Sequence, residues 1–285
     1  MKKGKWLIYF VLILAVAVMT IPFLWMLLTS FKTFEDSTKI PLQILPEQWI
    51  LTNYTEILEV FPIAKWFMNS ILAVVISLLA QVFLGSLAAY AFARLRFPGK
   101  KFLFMLMLSI MMIPEQIFII PRYNTLAAVG LTNTRVALWI VRLFSVFAVF
   151  MMRQFILSVP RELDEAAMID GCGYFRIYAT IILPVLRAPI VSLAILSGLS
   201  TWKDMMWPLI VIRDRDKMPV VSGLSTLADY FANKYPQLMA GGVLCSIPVI
   251  IFFFVLQKYF VAGIDRKSTR LNSSHRGESR MPSSA

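Results

Sequence analysis

One histidine, two cysteines and no stretch of the form G-x-x-x-x-G-K-[ST] are found in these 285 residues. The lone His275 and the isolated Cys172 and Cys245 supply no metal set, disulfide framework or histidine-based catalytic group. Without a phosphate-cradling loop, the chain does not hydrolyse ATP by itself. Charge is scarce too: 15% of the residues are charged and 59% are hydrophobic, with a mean hydropathy of +0.73. A soluble domain carries about 25% charged residues, so this composition belongs in a bilayer.

What is present is a series of long apolar runs. A helix crosses the hydrocarbon core with about 20 mainly apolar residues, and six runs meet that length: 6–31, 66–93, 102–121, 136–155, 188–212 and 237–257. None shows the two-residue alternation of a barrel strand. The expected fold is therefore all-α and polytopic, with six transmembrane helices. The first run follows a basic start but is too long for a signal-peptide core and has no small-x-small cleavage site, so it reads as a retained helix.

Basic residues set the orientation. Lys2, Lys3 and Lys5, with Arg94, Arg96, Lys100 and Lys101, stand without an acid among them. The first outer loop instead mixes Lys32, Lys39 and Lys65 with Glu35, Asp36, Glu47, Glu56 and Glu59. Both termini are then expected on the cytoplasmic side of a multi-pass protein. The net charge of +12 is read as membrane flanks facing anionic lipid, with no nucleic-acid partner.

Between the fourth and fifth runs lies "ELDEAAMIDGCGYFRIYATIILPVLRAP", residues 162–189. Pro160 suits a helix start, and Glu162, Asp164 and Glu165 place negative charge near its N-terminal end. Leu163, Ala166, Ala167 and Asp170 fall on one face, where the adjacent alanines are small enough for close approach by a partner. Gly171 is expected to end this helix in a left-handed cap. A second helix, 174–183, carries Phe175, Tyr178 and Ile182 on one face, and Pro184 is expected to break it. On these features alone the segment could be a plain interfacial linker as easily as a docking device.

The register narrows that choice. Glu165-Ala166-Ala167, three residues, Gly171, nine residues, Ile181, one residue and Leu183-Pro184 reproduce the EAA motif of ABC importer permeases. The chain resembles the MalG-type permeases of carbohydrate importers from about Tyr9 to Ile264, through "PFLWMLLTSFK", "FMNSILAV", "LAAYAFARLRFPGKK", "MMIPEQIFIIPRY", "RQFILSVPRELDEAAMIDG" and "TWKDMMWPLIV". The resemblance implies one half of a pore in a prokaryotic cell membrane, paired with a second, MalF-like permease. It also implies two copies of an ABC ATPase holding ATP and Mg, an extracytoplasmic solute-binding protein, and no cofactor on this chain. The loop would be the cytoplasmic coupling helix between spans 4 and 5. Glu165, Ala166, Ala167 and Asp170 would face the ATPase, Gly171 would set the corner, and Ile181, Leu183 and Pro184 would join the corner to the fifth span.

Within the spans, Lys203 and Asp204 are costly unless they face a cavity or lie near the outer end, and the two placements are equally compatible with the sequence. The similar permeases commonly carry Asn at the position of Lys203. Asn69, Trp202, Asp204 and Trp207 are the candidate residues of the translocation path, with Asn69 and Ser70 also readable as interhelical glue. An ion-coupled secondary transporter, using Glu115, Arg142, Lys203 or Asp204, is the alternative reading. An integral membrane enzyme has no catalytic set to support it. Residues 1–265 read as the permease domain. Residues 266–285, rich in serine and basic side chains, read as a disordered, foreign extension in place of the family's usual ending, or as a basic tail for anionic lipid.

Overall fold

The computed structural model describes residues 2–254; the end of the sixth run, 255–257, and the tail, 266–285, lie outside the described residues. Every regular element among the described residues is helical. Three helices are long and apolar enough to cross a membrane, and three bent pairs bring the number to as many as six.

The unbroken spans are those whose apolar runs carry no internal charge. Lys2–Thr29 is helical throughout, Pro22 included, and the side chains of Trp6 and of residues 8–24 are exposed. A helix apolar on all sides with few packing partners is one that lipid, rather than water, can cover. Ile63–Arg94 is continuous over 32 residues, and Tyr235–Phe254 is continuous through Pro248.

The other three runs are broken. The expected third span parts at Pro114 into Lys100–Met112 and Glu115–Ala128, bent by 96°. Pro114 has no N–H to continue the ladder, and it holds Ile113 extended, at φ −89° and ψ 125°. The fourth span breaks between Arg142 and Val146 with a bend of 42°, and Ser145 restarts it by accepting the Ala148 N–H at 3.3 Å. The fifth run is helical over Arg187–Trp202, opens at Lys203–Met205 and resumes over Met206–Val211.

The described chain forms two compact units. In the unit comprising 1–69 and 213–249, Trp66 is fully buried and its Nε1 donates to the Arg215 carbonyl at 2.6 Å. Phe61 packs its ring against the indole and against Phe231. The indole lies flat on Gly223, where a Cβ would come within 2.4 Å of the ring. In the unit comprising 70–212 and 250–254, the core gathers Ala89, Ala93, Val149, Met152 and Ile156 with Ala167, Ile177 and Ile182. Gly85 lets the Ile63–Arg94 helix approach Ala148, at 3.1 Å from the position of a Cβ.

Gly223→Ala forces the buried Trp66 ring to move, an overpacking change that costs about 1–3 kcal/mol. The unfolding midpoint of the detergent-solubilised chain should fall accordingly, whereas Gly173→Ala, where a Cβ meets nothing within 4 Å, should leave it nearly unchanged.

Candidate functional site

The segment after the fourth span is built around a helix terminus. Glu162–Ile169 carries its three acids in the first turn, which favours the helix dipole. At its other end Gly171 takes φ +82°. The Gly171 N–H reaches Met168 O at 3.0 Å, and the Cys172 N–H reaches Ala167 O at 2.9 Å. This is a Schellman terminus, and its left-handed residue is the one predicted.

The two alanines separate. Ala167 is buried in the core of its own unit, whereas Glu165, Ala166 and Asp170 face outward. The expectation that both alanines offer a flat face to a partner is therefore corrected: adjacent residues lie about 100° apart around a helix, and Ala167 is on the core side with Asp164. Leu163, Met168 and Ile169 are exposed beside Glu165 and Ala166.

The second helix also departs from expectation. Tyr178 and Ile182 are buried but Phe175 is exposed, so the three do not share one buried face. The chain stays helical past Pro184 to Val185 because a π-helical turn, Tyr178–Ile182, precedes the proline. There the Leu183 N–H reaches Tyr178 O. The widened ladder accommodates a residue that lacks an N–H. The bend, of 71°, comes at Leu186. Ile181 and Leu183 pack against the core, while Pro184 is exposed.

Sequence reasoning missed what fastens this segment. Arg94, at the end of Ile63–Arg94, sits with its Nε 2.6 Å from Asp164 Oδ2, both side chains being under 10% exposed. Its Nη2 donates to the Val159 carbonyl at 2.7 Å. The Nε contact is one of charges rather than an aligned hydrogen bond, and Asp164 Oδ1 makes none. Burial pushes the Asp164 carboxyl above the usual carboxylate range, against the pull of Arg94 and then Arg161. Nearby, Ser86 Oγ and Tyr178 Oη lie 2.7 Å apart and tie the second span to the π turn. A sign was present in the sequence, since Asp164 lies three residues before Ala167 and so on the same helix face.

A second constellation lies among the broken spans of the same unit. Arg142, where the fourth span breaks, places Nη2 2.7 Å from Asp204 Oδ2, where the fifth is interrupted. Asp204 Oδ1 also accepts the Trp207 backbone N–H at 3.4 Å. Gln81 Nε2 donates to the Arg142 carbonyl at 2.7 Å, and Ser197 Oγ donates to Gln81 Oε1. Three spans are thus joined through one polar network. Arg122 Nη1 meets Glu115 Oε1 at 2.9 Å, and this pair lines the same cleft, whose main cavity measures about 290 Å³.

Of the candidate path residues, Asp204 and Trp207 border this cleft. Trp207 is mostly buried, and its Nε1 donates to the Ala137 carbonyl at 2.9 Å. Trp202 ends the helix before the break. Asn69 belongs to the other unit, where its amide donates to the carbonyls of Asp216 and Met218. That is the role of polar glue rather than of a path residue. Gln81 and Ser197 escaped notice because a single amide or hydroxyl hardly alters an apolar run. Among the described residues, no group of three or more His, Cys, Asp or Glu is placed to hold a metal ion.

Residues 81–266 match the family described as "Binding-protein-dependent transport system inner membrane component". The chain is 34% identical over 246 residues to the arabinooligosaccharides transport system permease protein AraQ of Halalkalibacterium halodurans, covering 85% of this chain and 88% of that one. It is 31% identical to the diacetylchitobiose uptake system permease protein NgcG of Streptomyces coelicolor, covering 91% and 87%. Its fold is similar to that of a chain in a bacterial ABC transporter that imports the acidic polysaccharide alginate, with a TM-score of 0.78 at 21% identity, over 90% of this chain and 96% of that one. The chain belongs to the binding-protein-dependent transport system inner membrane component family. Members are permease subunits of ABC transporters and not enzymes.

Arg94→Met leaves the Asp164 carboxylate buried without its counter-charge, which costs about 3–5 kcal/mol. The combined Arg94→Met/Asp164→Leu variant removes both charges and should recover most of that loss in thermal unfolding. A double variant no more stable than the single one would show that the pair does not hold the segment in place.

Proposed function

We propose that this chain is one half of the translocation pore of an ATP-driven carbohydrate importer, and that residues 162–186 are its coupling element toward a separate ATPase. The observation that carries the reading is the outward display of Glu165, Ala166 and Asp170 on a capped helix whose opposite face is locked into the unit. An exposed acidic and apolar face on a fixed base is suited to docking in a partner's cleft. In this reading Glu165 offers a carboxylate and Ala166 permits close approach. Ala167 contributes from the inner side, by holding the helix down. Gly171 sets the corner, and Ile181, Leu183 and Pro184 carry displacement through the π turn to the fifth span.

The same reading supplies the rest of the machine. A second, similar permease completes the pore, two ATPase copies hold ATP and Mg, and an extracytoplasmic binding protein delivers solute. Both termini lie in the cytoplasm, and residues 1–265 form the permease domain. The carbohydrate class is supported by similarity to permeases named for arabinooligosaccharides and diacetylchitobiose.

Gly171→Val tests the coupling element. A Cβ there meets nothing within 4 Å, so the substitution is not a clash, but φ +82° is strained for a side chain, and for a branched one it costs about 1–2 kcal/mol or more. Solute-stimulated ATPase activity of the assembled complex should fall about tenfold, as expected for a cost of that order, with the membrane subunits still assembled. Unchanged stimulation would remove this segment from the coupling role.

A further inference from the structure

The charges lining the cleft cancel in contacting pairs. Arg142 is bound to Asp204 and Arg122 to Glu115, two guanidinium groups against two carboxylates. Around them stand uncharged hydrogen-bonding groups, Gln81, Ser145, Ser197 and Ser200, and the rings of Phe144 and Phe147. From these neighbours we infer that the cleft is a solute-contact site for an uncharged, polyhydroxylated molecule, and that it discriminates against anionic sugars and sugar phosphates. This rests on the permease reading above and narrows its solute class.

The physical argument concerns what each solute would find. A guanidinium has five N–H donors and a carboxylate about four acceptor positions, so each pair retains unused donors beside unused acceptors. A hydroxyl donates and accepts at once, so neighbouring hydroxyls of one sugar can use both without breaking the pair. The ionised phosphate or carboxylate group of an anionic sugar offers acceptors in place of donors. Held by the spare N–H groups, it would lie beside the carboxylate that each guanidinium already serves, and like charges brought together are disfavoured. Mixed polar groups and aromatic walls around a cavity of about 290 Å³ fall near the lower end of small-molecule sites.

The test separates this inference from the reading beneath it. MgATP-dependent uptake by the complete importer in proteoliposomes, offered both neutral and anionic probes, tests the permease function. Equilibrium binding to the membrane complex without its solute-binding protein tests the cleft, with arabinooligosaccharide and diacetylchitobiose as neutral probes and sn-glycerol 3-phosphate and an alginate oligosaccharide as anionic ones. The neutral probes should bind at least about tenfold tighter, since a site whose hydrogen-bonding groups are left unmatched rejects a ligand by this order or more. Asp204→Asn, which leaves Arg142 without its counter-charge, should shift the ratio toward the anionic probes by about tenfold. Ser200→Lys, at an exposed position on the cleft, should shift it the same way without disturbing the buried network. Anionic probes binding as well as neutral ones, or a ratio unmoved by both variants, would overturn the inference while uptake leaves the permease reading standing. Loss of ATP-driven uptake for every probe would overturn both.

Discussion

A charge carried into an apolar helix has to be answered by another charge inside the protein, and in this chain Arg142 and Asp204 answer each other. Neither sits in the middle of an intact helical turn. Arg142 closes the first half of a bent span, and Asp204 lies in the gap between Arg187–Trp202 and Met206–Val211. The breaks make the pair possible, because the interrupted helices release backbone groups that Asp204 and the neighbouring Gln81 then bind. Asp204 takes the Trp207 N–H, and Gln81 reaches the Arg142 carbonyl. Irregular backbone at membrane depth persists only where protein or a wet cavity satisfies it, and here polar groups and a cleft occur together.

The same constraint governs the loop that follows the fourth span. Asp164 belongs to a turn in which negative charge favours the helix dipole, yet it is buried, so it needs Arg94 from the second span. That contact turns the Glu162–Ile169 helix so that Ala167 packs inward and Ala166 faces out. Only one of the two alanines in the motif lies on the exposed face. The other has a structural task, since a larger side chain would lift the helix from Ile177 and Tyr178, with which it shares the core.

Legibility in the sequence followed the type of signal. Spans 1, 2 and 6 could be read from length and apolarity because no charge interrupts their apolar runs and the helices continue unbroken. The break at Pro114 had a visible cause. Those at Leu143–Ser145 and Lys203–Met205 did not, since tertiary contacts to Arg142 and Asp204 decide them. The corner at Gly171 was legible because only one backbone conformation explains a glycine in that register, and the structure places it at φ +82°. Proline misled at Pro184, where a π turn absorbs the missing N–H. Asn69 misled as well: a buried amide in a span suggests a path, but two carbonyls of the chain already satisfy it. The cleft itself was the least legible feature, because its polar lining comes from four spans, each contributing one to three groups to an otherwise apolar run.

A chain with no phosphate-binding loop of its own can couple to ATP hydrolysis elsewhere by transmitting displacement, and transmission requires parts that do not yield. The proposed coupling segment meets this requirement by distributing its anchors. The buried ion pair holds its first helix, Ala167 and the Schellman hydrogen bonds hold the corner, and the Tyr178–Ser86 contact holds the π turn to the second span. What remains free is the outward face and the bend at Leu186, directly before Arg187–Trp202. A push on the outward face therefore has few local ways to dissipate, and the nearest joint along the chain is the one that leads to Asp204 and the cleft.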